Sequence, residues 1–246
     1  MTHKRLHLVL VLMLLTLQLI HAQEKTYYLG YGSANVMDTY LSPYSYKGVG
    51  MSLTREVQYD HTLHNLTLAA SMTESLAGNV NEYAGNLRYS IAHQFGIIKS
   101  NCLSVKAGPM GTAQFGGIYN ERNGNNPANA HASIMADLSA RVDYTLRLFG
   151  KVFPLQYTLA VPFAGIAYSP NFGQAYYEEF ILGNSDHNIK FAYIGNTPSL
   201  RHRITAAIPI GEYFLRIGYE GDYGQSTYNN LRYHNYTHNF VIGFQM

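Results

Sequence analysis

Residues 132–148 read ASIMADLSARVDYTLRL. Every even position is apolar or aromatic: Ala132, Ile134, Ala136, Leu138, Ala140, Val142, Tyr144, Leu146 and Leu148. The odd positions, Ser133, Met135, Asp137, Ser139, Arg141, Asp143, Thr145 and Arg147, are polar except Met135. Successive side chains of a strand point to opposite faces, so this period of two describes a strand with one oily and one watery side. Ordinary strands run about 5–6 residues, whereas a tilted membrane-crossing strand needs about 9–11. The stretch predicts one wall strand of a closed antiparallel transmembrane β-barrel, with its even side chains toward lipid.

The same rhythm recurs on both sides of it. Leu200, Ile204, Ala206 and Ile208 alternate with Arg201, Arg203, Thr205 and Ala207, and Tyr213, Leu215, Ile217 and Tyr219 with Phe214, Arg216, Gly218 and Glu220. His234, Tyr236, His238, Phe240, Ile242, Phe244 and Met246 share one face of the last segment. Earlier, Tyr83, Leu87, Tyr89 and Ile91 oppose Glu82, Asn86, Arg88 and Ser90, and Leu103, Val105 and Ala107 oppose Ser104, Lys106 and Gly108. Spans near 26–33, 44–57, 63–73, 82–95, 101–115, 131–149, 151–168, 199–210, 212–223 and 232–246 count to ten. Gly150 and Gly211 mark tight turns, and segments 34–43, 74–81, 116–130, 169–198 and 224–231 are longer and polar. Short turns in the periplasm and long loops outside would place both mature termini in the periplasm of an outer-membrane protein. Within 169–198, YYEEFIL from Tyr176, a turn at GNSDHN and the return IKFAYIG predict an extracellular hairpin; two more spans, giving twelve strands, are the alternative. Pro109, Pro154, Pro162 and Pro209 fall in or near spans and call for bulges or shortened pairing.

Bulk properties agree. Lys4 and Arg5, the apolar run Leu6–Ile20 and the small Ala22 make residues 1–22 a secretory signal peptide, leaving 23–246 as a single barrel domain. No later stretch is long and apolar enough for a spanning helix. Two of the 17 basic residues lie in that leader and none of the 15 acidic ones, so the mature chain is neutral. No clustered basic surface exists to suit nucleic acid. Cys102 is the only cysteine, which excludes an intrachain disulfide. Tyr and Gly at 22 residues each and no Trp make the chain rich in an amphipathic ring that suits bilayer interfaces, although a soluble β-sandwich can be tyrosine-rich too.

With even positions of 132–148 toward lipid, the interior collects Asp137, Arg141, Asp143, Arg147, Arg201, Arg203, Arg216, Glu220, Glu82, Arg88 and Lys106. Such charges predict either a salt-bridged plug or a small pore whose arginines favour anions. The loops supply a candidate binding face: Asp38 and Tyr40 in NVMDTYLSP, Tyr119, Arg122, Asn123 and Asn125 in YNERNGNNPANA, and Tyr176, Tyr177, Glu178 and Asn188 in the segment from 169. A protein partner or a small ligand would dock there, and outer-membrane lipid would surround the wall. The pair Asp186 and His187 is the weak candidate for a rim hydrolase, because an acid beside an imidazole can activate water; neighbouring side chains of an extended segment, however, point apart. No serine has an identifiable base partner, and His234 and His238 belong to the outward face of the last strand at interface level. No cofactor or metal site is expected.

The segments NVMDTYLSP, YNERNGNNPANA, SPNFGQAYYEEF, LGNSDHNI, GNTPSLR and NNLRYHNYTHNFVIGF resemble a family of exported Bacteroidota proteins known as domain of unknown function 3316. The resemblance runs over most of the mature chain. It implies an envelope or outer-membrane barrel and no assigned activity, substrate or cofactor.

Overall fold

The computed structural model describes residues 24–124, 126–148 and 150–246, so the expected leader 1–22 and Asn125 lie outside the described residues. Twelve strands follow one another: β1 (Glu24–Asp38), β2 (Tyr46–Gln58), β3 (Thr62–Glu74), β4 (Asn81–His93), β5 (Phe95–Lys99), β6 (Leu103–Asn120), β7 (Ala128–Leu148), β8 (Lys151–Tyr168), β9 (Ile189–Tyr193), β10 (Leu200–Ile210), β11 (Tyr213–Tyr228) and β12 (Leu231–Gln245). One short helix, α1 (Tyr176–Phe180), lies between β8 and β9. Ten strands form an antiparallel ring in the order β1-β2-β3-β4-β6-β7-β8-β10-β11-β12, and β12 closes it on β1, from Thr26 opposite Gln245 to Asp38 opposite Tyr233. These ten are the expected spans. The short β5 continues the β4 side of β6, and β9 pairs with Ala164–Tyr168 of β8 above the stretch that β10 holds.

The face pattern of β7 settles which side is wet. Ile134 and Leu138 are 62% and 60% exposed on the outside, whereas Asp137, Ser139 and Arg141 are buried inside. A single-layer wall with oily side chains outward and charges inward leaves no second sheet for a sandwich. Closure is what lets such a wall stand in hydrocarbon, since an open edge would leave backbone groups unpaired at several kcal/mol each.

Three expectations are corrected. The hairpin from Tyr176 does not form: YYEEF is helical, with Glu178 Oε2 accepting the Ala175 N–H at 3.4 Å, and IKFAY pairs with β8 instead. The segment 224–231 is no long loop, because β11 and β12 run to Tyr228 and Leu231 and turn on Asn229 and Asn230 at φ 49° and 62°. Two successive left-handed residues make the tight turn that matches strand twist, and Asn tolerates that region. Strand pairing also extends into two predicted loops, 34–43 and 116–130, so Asp38 ends β1 and Tyr119 lies within β6.

The prolines sit where pairing is interrupted. Pro162 pairs with Asp137 at a register shift against β7, and Pro109 faces the break between β4 and β5. Pro154 and Pro209 fall outside the six residue pairs that join β8 to β10. A missing donor costs nothing at such positions.

Candidate functional site

The end of the barrel that carries the long connections is tied by one carboxylate. Asp38 turns the chain out of β1: its Oδ1 accepts the Tyr40 N–H at 3.0 Å, and its carbonyl accepts from Leu41 and Ser42. Its Oδ2 accepts from Asn129 Nδ2 at 2.6 Å and from His131 Nε2 at 3.0 Å, both on the inward face of β7. The His131 ring packs on Tyr233 of β12, with centroids 4.2 Å apart. The Tyr176 hydroxyl donates to Asn129 Oδ1 at 2.7 Å and accepts the Ala130 N–H at 2.6 Å. Tyr40 donates to the Gln174 carbonyl at 2.6 Å, and Tyr168 to Glu179 Oε2. Three stretches far apart in sequence, 38–42, 129–131 and 174–179, thus meet in one hydrogen-bonded knot.

Electrostatics suit a clamp that keeps its protons. Burial pushes the Tyr176 phenol up to about 12, against the Ala130 N–H that favours the phenolate, with Tyr40, Asp38 and Glu179 adding to the rise. Burial likewise raises Tyr40, helped by Asp38 and the two glutamates of α1. Both hydroxyls therefore remain donors throughout the ordinary pH range.

The candidate binding residues divide into two groups. Asp38, Tyr40 and Tyr176 are consumed by the knot. Asn188 is buried beside it and accepts from Asn171 Nδ2 at 3.1 Å. The other described candidates reach solvent or the outer wall. Tyr119 points outward from β6 opposite Tyr83, and the Arg122 guanidinium lies 5.7 Å from the Tyr44 ring. Asn123 Oδ1 accepts the Asn126 N–H at 3.3 Å, and Tyr177 and Glu178 are exposed on α1. Asp186 and His187 are exposed and fix the loop through their backbone carbonyls, which accept from Asn171 and Asn229. Asn129, His131 and Tyr233 were missed by sequence reasoning. Their signal was present, because each occupies the inward parity at the loop end of its strand.

Below the knot the lumen is filled in layers. Arg88 pairs with Asp222 at 2.6 Å, joining β4 to β11, and Arg201 pairs with Asp137, joining β10 to β7. Arg203 pairs with Glu56 and with Glu220 at 3.3 Å, and its guanidinium lies 3.9 Å from the Tyr28 ring centre. Arg141 binds Glu24 at 3.0 Å, Asp143 at 2.9 Å and Gln58 at 3.0 Å. Arg216 donates to Gln245 at 2.6 Å. Arg147, expected inside, is instead exposed at the far end of β7, and Lys106 is half-buried. Among the spaces left in the lumen, one of about 130 Å3 lies under the knot and one of about 70 Å3 lies deeper, and Arg88, Arg201 and Asp222 line both. One ion-pair layer therefore separates them.

A closed antiparallel wall, oily outside and ion-paired inside, defines a membrane-spanning β-barrel of the outer-membrane class. The chain belongs to the family described as Protein of unknown function (DUF3316), whose profile matches residues 11–246. No curated protein sequence matches it. Among solved structures it is similar to Neisserial surface protein A (10% identity, 89% of this chain and 96% of that one, TM-score 0.35). It is also similar to the transport unit of the autotransporter AIDA-I from Escherichia coli (8% identity, 93% of each chain, TM-score 0.39). The translocator domain of NalP from Neisseria meningitidis is a third (12% identity, 95% and 92%, TM-score 0.36).

Proposed function

We propose that this protein is a non-enzymatic, non-conducting outer-membrane barrel that holds a docking face for a protein partner at its extracellular rim, with both mature termini in the periplasm. The observation that carries the reading is the Asp38 knot, which anchors an otherwise irregular 20-residue connection, 169–188, onto β1 and β7. That anchored loop presents Phe172, Tyr177, Ile181 and Leu182 at 74%, 62%, 69% and 64% exposure. Large apolar side chains grouped on a water-facing loop are the signature of a protein contact rather than of a solvated surface. The ion-pair layers favour a closed lumen over the anion-selecting pore that the inward arginines also suggest.

The test places a photo-crosslinking residue at Tyr177 on intact cells. A discrete adduct that disappears when Phe172→Ser, Ile181→Ser and Leu182→Ser are added to the crosslinker-bearing protein supports docking. Its absence from a barrel that still migrates as folded would end that reading. Planar-bilayer recording of the purified protein separates the pore, which shows discrete conductance, from the sealed barrel, which shows none.

A further inference from the structure

The stretch of lumen beside the middle of β1 has little side chain of its own to fill it. Between Tyr28 and Val36 the inward positions of β1 are Gly30, Gly32 and Ala34, so the space is closed from its flanks, by β2, β3 and β4 on one side and by β11 and β12 on the other. The polar groups that close it are mostly acceptors. Asn239 is 2% exposed and Ser71 9%, and Asn239 Oδ1 and Ser71 Oγ lie buried with no hydrogen-bond partner among the described residues, as do Asn86 Oδ1 and Asn235 Oδ1. All four residues line one cavity of about 20 Å3, together with Glu220 and Asp222. The two β12 amides have their nitrogens engaged elsewhere: Asn239 Nδ2 donates to Ser52 Oγ at 3.5 Å, and Asn235 donates to the Tyr233 hydroxyl. Their oxygens are thereby left for the cavity.

Size and charge decide what fits. A space of this size holds one water or one ion. A water has two hydrogens to give, so even while accepting from the Ser71 hydroxyl it leaves one of the three amide oxygens without a donor, and a buried acceptor without a donor is costly. A hard cation gathers several oxygens at once and has no such limit. The sign comes from Glu220. Arg88, in the same lining, is matched by Asp222 at 2.6 Å, whereas Glu220 has to share Arg203 with Glu56, so the lining holds one negative charge in excess. One positive charge balances it, and a divalent ion would overshoot in a poorly hydrated interior.

We propose that this cavity is a binding site for a single alkali cation, sodium or potassium, held by the side-chain oxygens of Ser71, Asn86, Asn235 and Asn239 with Glu220 as the balancing charge. The ion ties β3 and β4 to β12 across the small-residue face of β1. The site does not depend on which way the barrel faces.

The purified protein, folded in detergent, is unfolded in urea at one fixed ionic strength while choline chloride is exchanged for sodium or potassium chloride, with heat-modifiable migration as the readout. For the wild type the unfolding constant falls about tenfold for each tenfold rise of the bound cation above its Kd, and choline gives no protection. Asn86→Leu with Asn239→Leu abolishes that dependence. Asn65→Leu, which removes an unpartnered buried acceptor outside this cavity, retains it. Thallium(I), a heavy monovalent stand-in, gives one anomalous-scattering peak between Asn86, Asn235 and Asn239 in crystals of the wild type, a readout that needs no variant to fold. Equal stability in choline, sodium and potassium, stronger protection by millimolar calcium than by either alkali ion, a folded double variant that keeps the dependence, or a cavity holding only water in the thallium crystals overturns the proposal.

Discussion

Replacing Asp38 by alanine isolates the knot from the barrel beneath it. The carboxylate is 2% exposed and accepts from Tyr40, Asn129 and His131. Its loss removes three bonds to a charged acceptor, from the Tyr40 N–H, Asn129 and His131, worth about 1.5–3 kcal/mol each, while Asn129 keeps its bond from Tyr176. Relief of Asp38 desolvation returns part of that, so the knot should weaken by about 3–5 kcal/mol. The effect is local because the wall strands are paired independently. The Ala130 N–H is the natural reporter: it lies beyond the last β7–β8 pair, Ala132 with Tyr168, and is held by the Tyr176 hydroxyl. At tenfold per 1.4 kcal/mol, its hydrogen exchange in Asp38→Ala should accelerate between about a hundredfold and a few thousandfold. Amides in the middle of β7 should not change. Hydrogen exchange on detergent-solubilised, heat-modifiable protein measures both. Unaltered exchange at Ala130 in a folded Asp38→Ala barrel would refute the claim that this carboxylate organises the loop.

Other outcomes are open to measurement. The Tyr176 phenol is raised from about 10 to about 12 in the fold, so the folded form holds its proton more tightly; loop protection should be constant from pH 7 to 9 and be lost as pH rises from about 10 through about 12, in step with tyrosinate absorbance. Arg201→Ala strands the fully buried Asp137 carboxylate and should destabilise the barrel by about 3–5 kcal/mol, whereas Arg201→Met with Asp137→Leu should cost much less; equal losses in gel-shift melting would argue against a buried pair. Cys102 is exposed in the β5–β6 turn, at the same end as both described termini, so an impermeant maleimide should label it only after the outer membrane is permeabilised, and labelling in intact cells would invert the proposed topology.

The ten wall strands were legible because every crossing obeys a local rule: neighbouring residues face opposite solvents, and Asp137 beside Leu138 shows it without any knowledge of partners. The prolines were legible for a similar reason, since a missing donor restricts where each can pair. The connection 169–188 was not. YYEEF has the aromatic content of a strand, and its helical turn is held by contacts the residue pattern does not show, among them Glu178 with Ala175 and Tyr176 with β7. The knot was half legible. Asp38, Tyr40 and Tyr176 were singled out as polar loop residues, but their role depends on Asn129 and His131, 91 and 93 residues away from Asp38, and no period along the chain encodes that separation. Asp186 and His187 show the converse, adjacent in sequence and contributing only backbone carbonyls to the fold.

The pairs Arg88–Asp222 and Arg201–Asp137 act as spokes. They connect wall strands that are not neighbours in the ring, so the cross-section cannot flatten without separating charges inside a narrow, poorly hydrated interior. A rim event therefore has no soft piston through which to reach the opposite end of the barrel.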